Sequence, residues 1–249
     1  MTTARLALLA VIWGSSFLWI KLSLRGLSPL EVTFARLVLG TAVLLVIVAV
    51  KRYALPRSPV MWAHIAVAAA FGNAAPYLLF ALSEQKVASS TAGILNATTP
   101  LWTVVIALAT RHERFVARRG IGPVALSAGQ LLVASVFLAV GLGVAGAPAP
   151  RFGVTVAVSI ATLGLLCTGV AYMLNYQIIT SEGATAASTV TYLLPVVAII
   201  LGVAVLGERI TASELAGVAL ILAGVALARR RAAPGGEPGD RPLPTRATR

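Results

Sequence analysis

Apolar residues in this chain come in long runs. They neither alternate nor stripe one helical face. Eight stretches are almost wholly apolar: about Leu6–Leu22, Val32–Val50, Val60–Leu82, Ala88–Thr110, Pro123–Ala145, Val154–Ile179, Ala186–Leu206 and Ala212–Ala228. A helix needs about 20 predominantly apolar residues to cross the hydrocarbon core of a bilayer. A helix that is apolar all round must be buried or in lipid. The pattern therefore predicts an all-α fold, a polytopic membrane bundle of about eight transmembrane helices. Polar punctuation separates the runs. Lys51-Arg52 through Arg57 follows the second, Arg111 to Gly122 the fourth, and Gly146 to Pro150 the fifth. After Arg229 the chain is rich in Pro, Gly and Arg, and residues 232–249 are expected to form a disordered tail.

Composition agrees. Hydrophobic residues make up 58% of the chain and charged residues 11%, against about 25% charged in a soluble domain. Lipid must be the solvent for much of the surface. The net charge of +12 is not a nucleic-acid signal, because the basic residues sit between and after apolar runs without aromatic interleaving. They read as topology signals instead. With the N-terminus in the cytoplasm, fourteen Lys and Arg residues lie inside and five outside, with Arg36 within a span. Both termini are then cytoplasmic, in a plasma (inner) membrane. The turn near Ser181–Gly183 contributes no basic residue to this bias. The single cysteine, Cys167, excludes an intrachain disulfide and reads as a small core residue.

Two segments match at an offset of 95 residues. Tyr77 pairs with Tyr172, Leu79 with Leu174, Ala92 with Ala187, Pro100 with Pro195, and Glu113-Arg114 with Glu208-Arg209. The basic loop after the fourth run falls inside, and its counterpart after the seventh falls outside. The two repeats are thus of inverted topology, an architecture that in secondary transporters places the substrate site near the midplane where the repeats meet.

Several local patterns resemble the drug/metabolite transporter superfamily, EamA type. They are Trp13-Gly14-Ser15-Ser16-Phe17 with Lys21, Leu27-Ser28-Pro29 with Arg36, Ala88 to Pro100 followed by His112-Glu113-Arg114, Thr185 to Pro195 followed by Gly207-Glu208-Arg209-Ile210, and Glu214-Leu215-Ala216-Gly217 to Gly224-Val225. The resemblance covers the chain to about Arg231. It implies two four-helix repeats, residues 1–117 and 118–231, and export of small organic metabolites or drugs by alternating access. Members of that family typically have ten helices. Here the fifth and sixth are missing, with a junction near Phe115–Arg118. The alternative implied is a shortened chain that is inactive alone or acts only as an oligomer. The expected partners are a small-molecule substrate and the lipid bilayer, with a homodimer as the oligomeric option, no nucleic acid and no cofactor.

Polar groups at membrane depth are costly unless they face water or a partner. Trp13, Asn73, Tyr77, Asn96, Tyr172, Asn175, Tyr176 and Tyr192 are therefore the candidates for lining a substrate cavity. The alternative is hydrogen bonding between helices, worth about 1 kcal/mol each, or an interfacial position for Trp13, Tyr176 and Tyr192. Pro100 and Pro195 remove backbone hydrogen bonds and are expected to kink their helices as gating elements. Arg36 is the intramembrane charge, either a substrate or gating group or an anchor that snorkels or pairs with Glu31. No acidic residue reads as buried, so no proton carrier is legible. Glu113 and Glu208 read as turn residues in water. His64 and His112 carry no catalytic motif, no metal-ligand cluster is present, and an enzyme is not expected.

Overall fold

The computed structural model describes residues 2–99, 122–146 and 149–220. Pro100, the loop containing Glu113 and the tail lie outside them. Among the described residues every regular element is helical, as the apolar runs require. Five helices are long and apolar enough to cross a membrane. They are α1 (Thr2–Ser23), α2 (Pro29–Lys51), α3 (Pro59–Ser83), α5 (Pro123–Ala145) and α6 (Val154–Gly183). Shorter pieces complete the bundle: α4 (Ser89–Asn96), α7 (Leu194–Leu206) and α8, residues 212–220. The chain is a multi-pass helical membrane protein. The rest of the Ala88–Thr110 run falls outside the described residues.

Local chemistry sets the helix starts. Ser28 accepts from the Glu31 N–H while the Ser28 N–H donates to Glu31 Oε2 at 2.7 Å, a capping box with Pro29 in the first turn. Thr211 and Glu214 repeat the device at the start of α8. Glu31 is thereby occupied at the helix end.

Three apolar clusters hold the bundle. One joins α1, α4, α6 and α7 around Leu9, Phe17, Ala171 and Leu194. A second joins α2, α3 and α5 around Leu37, Leu44, Ala69 and Leu131. The third, with Ile20, Val32, Ala81 and Leu163, ties the two together. The outer face keeps bulky apolar side chains such as Val46, Phe71, Val144 and Ile200 exposed, as a lipid-facing surface requires. With lipid as solvent, close approach of backbones drives association. The α2–α6 crossing shows it. A Cβ on Gly40 would lie 2.5 Å from Thr168 Cγ2, one on Gly164 2.5 Å from Leu39 Cβ, and one on Gly169 2.5 Å from Val43 Cβ.

Two helices widen midway. Residues Ala70–Ala74 of α3 and Thr162–Val170 of α6 are π-helical. In α3 the cause is Pro76, which has no N–H to donate and whose ring crowds the preceding turn. In α6 the Thr168 hydroxyl donates to the Leu163 carbonyl five residues earlier, at 3.0 Å. Shifted by the repeat offset, the first segment falls inside the second. Pro195 acts differently from expectation. It sits in the first turn of α7, after the 3-10 turn Thr189–Tyr192, so it begins a helix where no donor is needed and kinks none.

Candidate functional site

The two wide turns face one another and carry the site. Asn73 in the first and Thr168 in the second occupy equivalent repeat positions, and so do Tyr77 and Tyr172 one turn on. Tyr172 donates its hydroxyl to Asn73 Oδ1 at 2.8 Å. The Tyr77 and Tyr172 hydroxyls are 2.9 Å apart. Since the Tyr172 proton is already committed, Tyr77 is the donor of that pair. The Trp13 ring meets Tyr172 edge-on, with centroids 6.5 Å apart.

Arg36 completes the network. Seven residues into α2, it lies about 10 Å from the helix end and is only 5% exposed. It neither snorkels nor pairs with Glu31. Its Nε donates to Thr168 Oγ1 at 2.9 Å, and its guanidinium carbon lies 4.0 Å from the centre of the Tyr77 ring. Such a stack is worth about 2 kcal/mol when desolvated. Its counterpart at the repeat offset is Leu131, fully buried in α5. The charge is therefore one-sided in an otherwise symmetric centre.

Beside this network is a cavity of about 180 Å³. Trp13, Arg36, Tyr77, Asn96, Phe17 and Phe80 line it, with Ser16 and Thr191 among the remaining contacts. Trp13, Tyr77 and Asn96 thus line the cavity, while Tyr172 and Asn73 stand behind Tyr77 and hold it. Tyr176 faces elsewhere. It bonds to the Ser127 hydroxyl and borders a separate pocket near Lys51 and Tyr53. Asn175 and Tyr192 are half-buried and do not line this cavity. Cys167 is buried beside Ser15, as a core residue.

Removing either tyrosine hydroxyl tests the relay. Tyr172→Phe strips Asn73 of a donor and leaves the Tyr77 proton unplaced, so it is expected to cost about 1–3 kcal/mol. Tyr77→Phe removes one bond and costs less. A double-mutant cycle on thermal unfolding should return a coupling of about 1 kcal/mol. Additive losses would mean that the two hydroxyls act separately.

Two acidic residues differ from the sequence expectation. Glu208 is half-buried, and its carboxylate accepts the N–H groups of Ser89 at 2.7 Å and Ser90 at 3.1 Å, capping α4. Glu84, just beyond α3, is fully buried, so a buried acidic residue does exist. The sequence signal is faint: Glu84 stands in a polar Ser83–Lys86 turn, which reads as solvated.

Comparison with known proteins decides the family. The model of the EamA-like transporter family matches residues 3–118 and, a second time, residues 115–230. The chain belongs to the EamA-like transporter family. It is similar to a probable terminal-alkyne amino-acid exporter of Streptantibioticus cattleyicolor, with 32% identity over 136 residues, 51% of this chain and 43% of that protein. It also resembles two uncharacterized transporters of Archaeoglobus fulgidus. One is 31% identical over 100 residues, 40% of this chain and 35% of the relative. The other is 22% identical over 273 residues, 91% and 98% respectively. The matches to the first two relatives span less than half of those proteins' length. No solved structure matches.

Proposed function

We propose that this EamA-like transporter exports a small organic metabolite bearing a carboxylate, by alternating access, from an inner membrane in which both termini are cytoplasmic. The observation that carries the reading is Arg36, a buried guanidinium at the edge of a cavity, met by a hydroxyl and a ring face. Its fork of donors matches a carboxylate in two parallel bonds. Trp13 and Tyr77 offer the apolar and aromatic walls of a small-molecule site. The cavity, about 180 Å³, is below the roughly 300 Å³ at which drug-sized pockets begin, which suits a small substrate. The name of the Streptantibioticus cattleyicolor relative, an amino-acid exporter, supports the same chemistry. The cytoplasmic termini rest on the Lys and Arg bias.

Reconstitution in proteoliposomes with a metabolite panel tests it. Saturable flux of carboxylate-bearing substrates, with their neutral amides or esters carried poorly, is the expected result. Equal flux of carboxylate and neutral analogues, or none in a folded protein, would sink the reading.

A second reading keeps the chain as a subunit. At the repeat offset, α2 and α3 correspond to α5 and α6, and the Ala88–Thr110 run to the Ala186–Leu206 run that holds α7, while α1 and α8 are left over. A second copy supplying their counterparts would complete the pseudo-symmetry. Flux from vesicles that hold one copy each would exclude it.

A further inference from the structure

One turn away from the cavity, at the end of the bundle where α1 finishes, lies a second buried ionisable group. Phe17 and Phe80 pack edge-on with centroids 5.7 Å apart and wall the cavity on this side. Four residues on from each, one helical turn, stand Lys21 and Glu84. Glu84 is 0% exposed, and neither carboxylate oxygen has a hydrogen-bond partner. Ionised in that position, it would be a desolvated charge without hydrogen bonds, which is strongly unfavourable. The neutral acid is the form that fits.

The neighbouring charges do not relieve it. The Lys21 ammonium donates instead to the main-chain carbonyls of Glu84, at 2.5 Å, and Val87, at 2.7 Å. Those two bonds tie α1 to the α3–α4 turn. Glu208, from the turn after α7, is a like charge and is occupied in capping α4. Arg36 acts from the cavity side. The hydroxyls of Ser23 at the end of α1 and Ser89 at the start of α4 are also buried without partners. A recess of about 460 Å³ lined by Lys21, Leu24, Arg25, Glu84, Gln85 and Glu208 adjoins the cluster. Burial pushes the Glu84 carboxyl up to about 9; Lys21 draws it down, Glu208 raises it and Arg36 lowers it.

We propose that Glu84 is a proton-binding site whose neutral form keeps this mouth of the cavity shut and whose ionised form opens it. This rests on the transport reading above. The step is a simple proton transfer: the carboxyl O–H bond breaks and water in the recess takes the proton. The carboxylate then draws the Lys21 ammonium onto itself and off the Val87 carbonyl, and the tie between α1 and the approach to α4 is lost. Closing reverses the step and takes up a proton. In the proposed orientation this mouth faces out, so the proton lost on opening and the one regained on closing both exchange with the outer side. The sign follows from linkage. A carboxyl raised in the closed form favours closure at pH below the ordinary carboxylate value. That advantage is lost as pH rises towards about 9.

The test uses the full-length protein in lipid without any substrate, so a failure to find flux and a failure of this proposal are separate results. Infrared difference spectra from neutral to strongly alkaline pH report protonated carboxyl groups. Labelling of Ser89→Cys, in a Cys167→Ala background, reports opening of the mouth. The wild-type residue at 84 should give a carboxylic-acid band that disappears on alkalinisation. Labelling, divided by the thiolate fraction at each pH, should rise by up to about tenfold per pH unit in the titrating range. Glu84→Gln, which mimics the neutral form, should lack the band and keep the corrected labelling at its low-pH level throughout. Lys21→Gln removes the largest influence favouring ionisation and the tie itself, so it should move the midpoint of the carboxyl band to higher pH and raise labelling at low pH, a result that does not depend on Glu84→Gln folding. No titrating band, labelling that rises equally in Glu84→Gln, or an unmoved band midpoint in Lys21→Gln would overturn the proposal.

Discussion

Arg36→Leu is expected to lower kcat/KM for carboxylate substrates roughly 100-fold while the protein still folds. Truncating one partner of a buried, hydrogen-bonded charge pair typically costs about 2–5 kcal/mol, and each 1.4 kcal/mol is about a factor of ten. The fold should tolerate the change because the groups around Arg36 keep other partners. Thr168 retains its bond to the Leu163 carbonyl, and Tyr77 retains Tyr172. Replacing a buried charge by an apolar side chain is often neutral or stabilising. Arg36→Lys keeps the charge but not the planar stack on Tyr77 or the bond from Nε, so it should fall between the two. The deciding measurement is proteoliposome flux of a carboxylate substrate beside its neutral ester. Loss confined to the carboxylate is the expected result. An equal loss for both would make Arg36 a structural residue and remove the main support for an anionic substrate.

Gly164→Leu should have the largest effect on stability. A Cβ there would lie 2.5 Å from Leu39 Cβ and 3.2 Å from the Arg36 carbonyl oxygen. Neither neighbour is the end of a flexible side chain. Relief by moving α2 away would open the Gly40–Thr168 and Gly169–Val43 contacts on the same crossing and pull Arg36 from Thr168. Overpacking of this kind costs about 1–3 kcal/mol, the upper end being appropriate where backbone blocks relaxation. At about 2–4 °C per kcal/mol for a chain of this size, the melting temperature should fall by roughly 10 °C. Gly143→Ala is the control, since a Cβ there meets nothing within 4 Å. Thermal unfolding followed by size-exclusion chromatography gives the comparison. A Gly164→Leu protein that melts with Gly143→Ala would show that the α2–α6 contact is dispensable.

Part of the site is legible in the sequence alone. The 95-residue offset pairs Tyr77 with Tyr172, and the fold brings their hydroxyls into a hydrogen bond. Trp13, Tyr77 and Asn96 border the cavity. The same reasoning cannot rank candidates by direction. Tyr176 and Asn175 are as polar and as deep in the sequence, yet they do not line this cavity, because only helix rotation decides which face meets the centre. Thr168 is invisible for a related reason. A lone threonine in an apolar run has no signature, and it accepts from Arg36 within the stretch where α6 widens.

What the sequence determined by itself was whatever depends on neighbours along the chain. Span positions follow from the apolar length needed to cross lipid, and Pro123–Ala145 is a helix with those ends. The Ser28–Glu31 capping box and the duplicated pattern are likewise local or periodic. Tertiary structure alone decided the fate of the charges. Arg36 turned inward because Glu31 is held by Ser28 and because Thr168 and Tyr77 stand within reach on other helices. Glu84 looks solvated in its turn and is buried by elements far away in the chain, the end of α1 with Lys21 and the turn after α7 with Glu208. Desolvation is a property of everything packed around a group, so a sequence window of any length that omits those neighbours cannot contain it.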